Sequence, residues 1–379
     1  MNTPSDAGTP PPTRPAPPEA APPTSAPVPR AVPLWLGLPL LPLGWLYGLL
    51  ARLRPLAYRL GWRRSVPLGL PTLAVGNLTL GGAGKTPMAE YLARMALRAG
   101  HRPAILSRGY RRRGRSHLAR ACLAESPVAD AQALGDEPYL LARRNPSVAV
   151  VVGADRVAAA RLARIAGAPT LFILDDAYQH LRAARDCNVL LLDAARGWGN
   201  GRLPPLGILR EPLGTLRRAD VIVLSKANLG PAQVWRERLR DMGVAVPVFT
   251  ADYVPTGVSP LEGGPARAPE TLAGRQVALL CGIAQPEGFR RTVEALGAVC
   301  AAELRLGDHA RYAPAELARV QRYVAAQAAA GCTVLTTEKD AVKLQGRLGA
   351  GSEPLVLEMG VRPEPAAEDF FIALMQRLG

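Results

Sequence analysis

The sequence has few of the residues that build metal centres or disulfide frameworks. It contains only four histidines, and they form no metal-ligand pattern. Its five cysteines include no C-x-x-C pair, and their number is odd. These absences argue against a structural zinc site and against a small disulfide-stabilised fold. We therefore expect reduced, mostly buried cysteines in a protein of a cytosolic compartment.

Acidic side chains are also in deficit. There are 31 aspartates and glutamates against 46 lysines and arginines, which gives a formal net charge of +15. Such an excess suits an anionic partner: a lipid surface, a phosphorylated substrate or nucleic acid. A GC-rich genome also raises arginine usage, so charge alone does not choose among these partners. No recognisable nucleic-acid-binding module accompanies the charge, and we expect no nucleic-acid partner.

The N-terminal part differs in composition from the rest of the chain. Residues 1–32 are rich in Pro, Ala, Thr and Ser and have almost no large apolar side chains, which predicts a disordered tail. Residues 33–51 are uncharged, almost wholly apolar and about as long as a bilayer span. Five arginines follow, which places that flank in the cytoplasm. We predict a membrane-associated helix with a basic flank over residues 33–64, whether it spans the bilayer, lies on its surface or packs on the protein.

From Leu68 onward, short apolar runs alternate with Ala-, Arg- and Leu-rich stretches of helical character. Unbroken apolar strands alternating with helices predict an α/β fold with a mostly parallel sheet flanked by helices. The chain turns Pro- and Gly-rich over residues 250–275, which predicts a connection between two units. We therefore predict a core domain over residues 65–250 and a smaller C-terminal α/β domain over residues 251–379 that completes a cleft.

The strongest motif is AVGNLTLGGAGKTP, residues 74–87. An apolar strand, a glycine-rich turn, Gly-Lys-Thr and a helix form the context of a P-loop, whose backbone amides and helix dipole hold phosphate. Lys85 is expected to reach the β- and γ-phosphates of ATP, and Thr86 to hold Mg²⁺. Thr79 stands where the consensus motif has glycine. The predicted nucleotide-binding set is Thr79, Leu80, Gly81, Gly82, Ala83, Gly84, Lys85 and Thr86.

A P-loop also needs an acidic partner for Mg²⁺ at the end of a neighbouring strand. Asp175 and Asp176 end the run TLFILDD, and Asp193 ends the run NVLLLDA. Carboxylates at strand ends also act as caps, so a structural role stays open for each. The paired acids are followed by Gln179 and His180, which favours the first run. We predict Asp175 and Asp176 as metal ligands.

Further motifs occur in order over both halves of the chain. The P-loop is followed by LGDEPYLLA, LDDAYQH, GRLPPLGILREP, CGIAQPEGF, GDHARY and TTEKDAVKL. Together they resemble the tetraacyldisaccharide 4′-kinase family of lipid A biosynthesis. The resemblance implies a P-loop NTPase-like fold and Mg²⁺- and ATP-dependent phosphorylation of the 4′-hydroxyl of a tetraacyl glucosamine disaccharide 1-phosphate, giving lipid IVA. It places the enzyme on an anionic membrane surface, the cytoplasmic face of the bacterial inner membrane. No obligatory protein partner is evident.

The same resemblance assigns roles to individual residues. It implies that Asp136 and His309 remove the proton from the acceptor hydroxyl, without deciding which of them takes it. It also implies that Glu137 lies in the metal region, and that Arg156 and Gln179 serve the nucleotide region.

Some positions depart from the family pattern. The family's DDGFQH is DDAYQH here, and Ala177 is unexpected if that glycine needs a positive φ. SRGYRRRGR, residues 107–115, either meets the substrate 1-phosphate or lipid headgroups or is an ordinary solvated loop.

Two other classes of P-loop protein deserve comparison. Membrane-binding switch ATPases carry a signature lysine before the double glycine, where this chain has Leu80. GTP-binding modules read guanine with N-K-x-D after a strand, and the run VLSKAN has the lysine but lacks the aspartate. Both alternatives are therefore less well supported than a kinase.

Overall fold

The computed structural model describes residues 41–109, 118–121, 134–283, 286–307, 310–349 and 353–378. The helices are α1 Leu41–Arg59, α2 Lys85–Arg98, α3 Asp136–Arg144, α4 Arg156–Gly167, α5 Ala232–Asp241, α6 Pro286–Ala295, α7 Pro314–Ala329, α8 Glu338–Leu344 and α9 Pro365–Arg377. The strands are β1 Thr72–Asn77, β2 Pro103–Ser107, β3 Leu118–Ala121, β4 Ala149–Gly153, β5 Leu171–Leu174, β6 Cys187–Asp193, β7 Val221–Ser225, β8 Val248–Pro260, β9 Gln276–Cys281, β10 Val299–Arg305, β11 Thr333–Thr337 and β12 Leu355–Pro363. Short 3-10 helices lie at Leu213–Arg218, Ala227–Leu229 and Pro269–Leu272.

These strands form one twelve-stranded sheet in the order β10-β9-β11-β12-β8-β7-β6-β1-β5-β2-β4-β3. Pairing is parallel except between β3 and β4 at one edge and between β8 and β12. The predicted mostly parallel α/β sheet is confirmed. Strands β1 and β2 are buried along their whole length, because helices cover both faces of the sheet.

The stretch over residues 250–275 is only partly a connection. Its first part belongs to β8, which pairs in parallel with β7 and antiparallel with β12 and so joins the two halves of the sheet. Pro255 of β8 lies opposite Met359, next to a register shift, where a missing N–H is tolerated. Helix α9 returns from the C-terminal half to pack on α2, and Phe371 and Met375 belong to the same buried apolar cluster as Leu92. The predicted domain division remains a prediction.

Helix α1 packs against the loop at residues 203–206. A Cβ at Gly48 would lie 3.3 Å from Leu203, so glycine permits this close approach. Among the described residues, no helix is both long and apolar enough to cross a membrane. The predicted N-terminal membrane helix is therefore not supported, because the described helix carries Arg52, Arg54 and Arg59 in its second half. The predicted Pro-rich tail, residues 1–32, and residues 33–40 lie outside the described residues.

Four cysteines lie in the described part of the chain, and all four are free. Cys187 and Cys281 are buried, while Cys300 and Cys332 are half-buried. The expectation of reduced, mostly buried cysteines therefore holds for Cys187 and Cys281, while Cys122 lies outside the described residues.

Candidate active site

The glycine-rich loop connects the carboxyl end of β1 to the first residue of α2, as the motif predicts. Gly84 caps α2 with a φ of 76°, and Gly81 has a φ of 113°. A Cβ at Gly81 would lie 2.6 Å from the Arg196 guanidinium. Both positions favour glycine, because each has a positive φ, and at Gly81 a side chain would also collide with Arg196. The loop lies at β1, between β5 and β6, where the strand order reverses and α/β sheets bind ligands.

The start of the loop is held by the GRLPPLGILREP segment. The Leu80 amide donates to the Ile208 carbonyl at 2.7 Å, and the Arg210 amide donates to Leu78 at the same distance. Thr79 is buried, and its hydroxyl accepts from the Asn77 amide at 3.2 Å. The threonine that departs from the consensus is therefore accommodated without disturbing the loop.

The side chains after the glycines converge on acidic groups. The Lys85 ammonium lies 3.3 Å from the Asn77 side-chain oxygen and 3.5 Å from a carboxylate oxygen of Asp176. The Thr86 hydroxyl donates to Glu137 at 3.3 Å. The structure thus brings together the predicted phosphate-binding lysine and three of the predicted metal-site residues.

Asp175 follows β5 directly and is 3% exposed. Its Oδ2 accepts from the Ser107 hydroxyl at 3.2 Å, while its Oδ1 is buried without a hydrogen-bond partner among the described residues. Burial, together with the charges of Glu137 and Asp176, raises the pKa of Asp175 to about 6. A buried, unpartnered carboxylate oxygen among other acids is a position that a cation would stabilise.

Asp176 adopts a φ of 51° and accepts from the Arg210 guanidinium at 2.8 Å. In the described part of the chain, no group of three or more His, Cys, Asp or Glu side chains is arranged to hold a metal unaided. Mg²⁺ usually takes one or two carboxylates and completes its shell with water and substrate phosphates. The donors Thr86, Glu137, Asp175 and Asp176 therefore fit Mg²⁺ that arrives with a nucleotide.

The second candidate acid is already paired. Asp193 is buried, and its Oδ2 lies 2.7 Å from the Lys226 ammonium. Lys226 follows β7 with a φ of 55° and also donates to the Gly82 carbonyl at 2.8 Å. Through this hydrogen bond, the Asp193–Lys226 pair is connected to the backbone of the P-loop. No motif in the sequence predicts this contact, and the lysine directly after the apolar run VIVLS is its only local signal.

Arg156 and Gln179 bind the backbone around the loop. Arg156 is 1% exposed and donates to the carbonyls of Gly153 at 2.5 Å and Asp175 at 3.0 Å. Burial lowers the pKa of Arg156 to about 10. Gln179 donates to the Asn77 carbonyl at 2.8 Å. Both line the cleft, and their direct contact with nucleotide stays a prediction.

The residues that follow the paired acids have structural contacts. His180 lies 3.2 Å from the Ala154 carbonyl, and burial and the charge of Arg156 lower the pKa of His180. Positive φ in this segment falls on Asp176 and not on Ala177, which is fully buried. Alanine is therefore compatible with the backbone where the family has glycine.

Asp136 and Glu137 are the first two residues of α3 and face the C-terminal half. Asp136 lies 3.8 Å from the Lys343 ammonium, and Glu137 lies 3.7 Å from that of Lys339. His309 lies outside the described residues, as do residues 110–115 of the basic run.

A buried charge network that no sequence motif predicts joins the halves beside these acids. The Arg144 guanidinium lies 3.1 Å from Glu90 on α2 and 2.7 Å from Glu338 on α8, and it donates to the Met359 carbonyl of β12 at 3.0 Å. Burial raises the pKa of Glu338 to about 7.

Both halves of the chain line one cleft of about 3700 Å³. The first half contributes the P-loop, Asp136, Asp175 and Lys226, and the second half contributes Lys343 on α8 and residues of α6. The arrangement can hold a polyphosphate on one wall and an acceptor between the walls.

Comparisons with known proteins agree on one family. A family model for tetraacyldisaccharide-1-P 4′-kinase (LpxK) matches residues 36–378. The tetraacyldisaccharide 4′-kinase of Syntrophotalea carbinolica is 40% identical over 305 residues, covering 80% of this chain and 82% of the relative. That of Geobacter metallireducens is 40% identical over 326 residues, covering 84% of this chain and 93% of the relative.

A solved structure agrees. The crystal structure of an "apo" form of LpxK from Aquifex aeolicus in complex with ATP is 31% identical in sequence, with a TM-score of 0.73. The alignment covers 90% of this chain and 99% of that chain. The resemblance seen in the sequence motifs is confirmed over both halves, and the chain belongs to the tetraacyldisaccharide-1-P 4′-kinase family.

Proposed function

We propose that this chain transfers the γ-phosphate of ATP to the 4′-hydroxyl of a tetraacyl glucosamine disaccharide 1-phosphate, giving lipid IVA. The observation that carries the proposal is the convergence of Lys85, Thr86, Glu137, Asp175 and Asp176 at the carboxyl end of the parallel sheet. The relatives' names supply the acceptor, and the ATP complex of the Aquifex aeolicus protein supports the donor.

In this proposal, the P-loop amides and the Lys85 ammonium hold the phosphates of ATP and stabilise the charge that moves during transfer. Thr86, Glu137, Asp175 and Asp176 would hold Mg²⁺, which neutralises phosphate charge when it is bound. Lys226 fixes the carbonyl of Gly82 and so keeps the loop in its phosphate-binding form.

Asp136 takes part in removing the acceptor proton. Its side chain is 46% exposed, and it faces the cleft next to Glu137, so a hydroxyl can approach it beside the nucleotide. Asp136 accepts the proton itself or polarises His309, which the family resemblance pairs with it.

A guanine-reading switch is less compatible with the site. Asn228 stands where the guanine-specific aspartate of N-K-x-D would stand. Its amide donates to the Tyr253 carbonyl and accepts from the Tyr253 amide, both at 3.0 Å. Both polar ends of Asn228 are therefore engaged by β8, and no carboxylate is present there to read guanine.

An acceptor panel tests the proposed reaction. The purified full-length chain is incubated in detergent with γ-labelled ATP and Mg²⁺. Three reactions are compared: one with the disaccharide 1-phosphate, one with lipid IVA and one without lipid. We expect label only on the first lipid, at the 4′ position, because lipid IVA already carries a phosphate there. ATP hydrolysis that is equally fast without lipid would instead identify a switch ATPase.

We further propose that α1 lies on the anionic cytoplasmic surface of the membrane. Trp45 is 78% exposed and Leu50 is 57% exposed, and the arginines of α1 lie on the same helix. The Tyr47 hydroxyl donates to the Arg210 carbonyl at 3.0 Å, which holds the helix at the cleft. A lipid held by α1 would therefore lie next to the nucleotide site.

Replacing Trp45 and Leu50 with glutamate should weaken binding to vesicles of anionic phospholipid by at least about tenfold, because two apolar side chains lose their lipid contact. Sedimentation with vesicles measures the binding. The control is Ile165→Glu on α4, since Ile165 is 86% exposed and does not line the cleft. Unchanged binding of the double variant would contradict the proposal.

A further inference from the structure

Lys343 stands between the two halves of the cleft. Its ammonium lies 3.8 Å from Oδ2 of Asp136, on the ATP-binding half, and donates to the carbonyl of Ala310 at 3.1 Å, on the other half. The Lys343 side chain is 17% exposed, whereas that of Asp136 is 46% exposed, so water screens this ion pair mainly from the Asp136 side. One cation thus joins a predicted catalytic carboxylate to the chain segment that ends the GDHARY motif.

Lys343 belongs to α8, a helix that is held firmly to the C-terminal half. Ala341 is 5% exposed and Leu344 is fully buried in the apolar core of that half. The Thr337 hydroxyl caps the helix by accepting from the Asp340 amide at 3.3 Å. Because these contacts fix the helix backbone, the Lys343 ammonium can reach only a small region of the cleft.

Asp340 connects α8 to the GDHARY segment by hydrogen bonds. It is fully buried, and its carboxylate accepts from the Tyr312 hydroxyl at 2.7 Å, from the Gly282 amide at 2.9 Å and from the Thr337 hydroxyl at 2.7 Å. Tyr312 is itself fully buried with a φ of 52°. The Asp340 carboxylate therefore connects three of the family motifs: CGIAQPEGF, GDHARY and TTEKDAVKL. Lys343 lies on the same helix as Asp340, and its ammonium lies near Asp136.

We propose that Lys343 is a positioning residue for phosphoryl transfer, which acts by holding the carboxylate of Asp136 against the Ala310 segment across the cleft. This inference rests on the proposed function, in which Asp136 helps to remove the acceptor proton. Small displacements of a catalytic group are costly, because transfer needs the reacting atoms in near-attack geometry. In this arrangement the Lys343 ammonium contacts a carboxylate and a carbonyl, and the inference assigns it no phosphate contact.

Lys343→Met removes the ammonium and keeps most of the apolar stem. We expect kcat to fall about 10- to 100-fold, with little change in the KM for ATP, because the P-loop contacts remain. Lys343→Arg keeps the positive charge and should retain most of the activity. The control is Arg322→Met on α7, whose guanidinium bonds only to Ala318 of its own helix among the contacts described. Thermal unfolding of each variant separates loss of positioning from loss of fold.

A double-mutant cycle with Asp136→Ala completes the test. If Lys343 acts through Asp136, adding Lys343→Met to Asp136→Ala should lower kcat no further. Multiplied losses would overturn the inference, because they would show that Lys343 acts independently of Asp136. A normal kcat for Lys343→Met together with a low kcat for Asp136→Ala would overturn the inference about Lys343 and leave the proposed function standing. A normal kcat for Asp136→Ala would instead overturn the role of Asp136 in the proposed function.

Discussion

Replacing Lys85 with alanine is expected to abolish nearly all phosphoryl transfer. The Lys85 ammonium lies among Asn77, Asp176 and the P-loop, where transferring phosphate charge would develop. Loss of one preorganised charge-stabilising group typically lowers kcat about 10²–10³-fold, and a full positive charge should count for at least as much. The variant should still fold, because Asp176 keeps its ion pair with Arg210 at 2.8 Å. The measurement is kcat at saturating ATP, and a near-normal value would refute the P-loop assignment.

Thr86 offers a matched pair of variants for the same site. Thr86→Ala removes the hydroxyl that donates to Glu137, and turnover should then need much more Mg²⁺. Thr86→Ser keeps the hydroxyl and should behave nearly as the parent chain does. Equal Mg²⁺ dependence of the two variants would argue that Thr86 does not hold the metal.

Much of the fold follows from local pattern. The apolar runs that predict β1, β2 and β5 lie in the middle of a sheet covered on both faces, so no polar side alternates with the buried one. The P-loop and the acids Asp175 and Asp176 are also visible locally. Their side chains meet because parallel neighbouring strands end at the same edge of the sheet.

The contacts between distant segments have no such local signal. The antiparallel pairing of β8 with β12 depends on a strand that lies about a hundred residues later in the chain. The prolines and glycines of β8 resemble those of a linker, so its sequence alone does not indicate a strand. The Arg144 network and the Lys226–Asp193 pair consist of ordinary charged residues, which become informative only when their partners are known. Composition left open whether the N-terminal helix spans the bilayer, lies on it or packs on the protein, and among the described residues a span is not supported, because Arg52, Arg54 and Arg59 lie within the helix.

Asp136→Ala is expected to lower kcat about 10²–10⁴-fold, the usual range for general acid–base assistance. Asp136 begins α3 and lines the cleft beside Glu137, so proton removal from an acceptor in the cleft is the step that its side chain can assist. The KM for ATP should change little, because the described contacts of Asp136 are with Lys343 and not with the P-loop. Asp136→Asn is the matched variant, since it keeps the volume and removes the basic oxygen.

His309→Ala should give a loss of similar size if the two residues form one proton-accepting unit, as the family resemblance implies. In that case the double variant Asp136→Ala/His309→Ala should be scarcely slower than the slower single variant, because the unit is already disabled by either change. Steady-state kcat and KM for both substrates are measured on all three variants. Multiplied losses would show two independent functions. A raised KM for the lipid acceptor with unchanged kcat would move the residue concerned from proton transfer to acceptor binding, since only ground-state contacts would then have been lost.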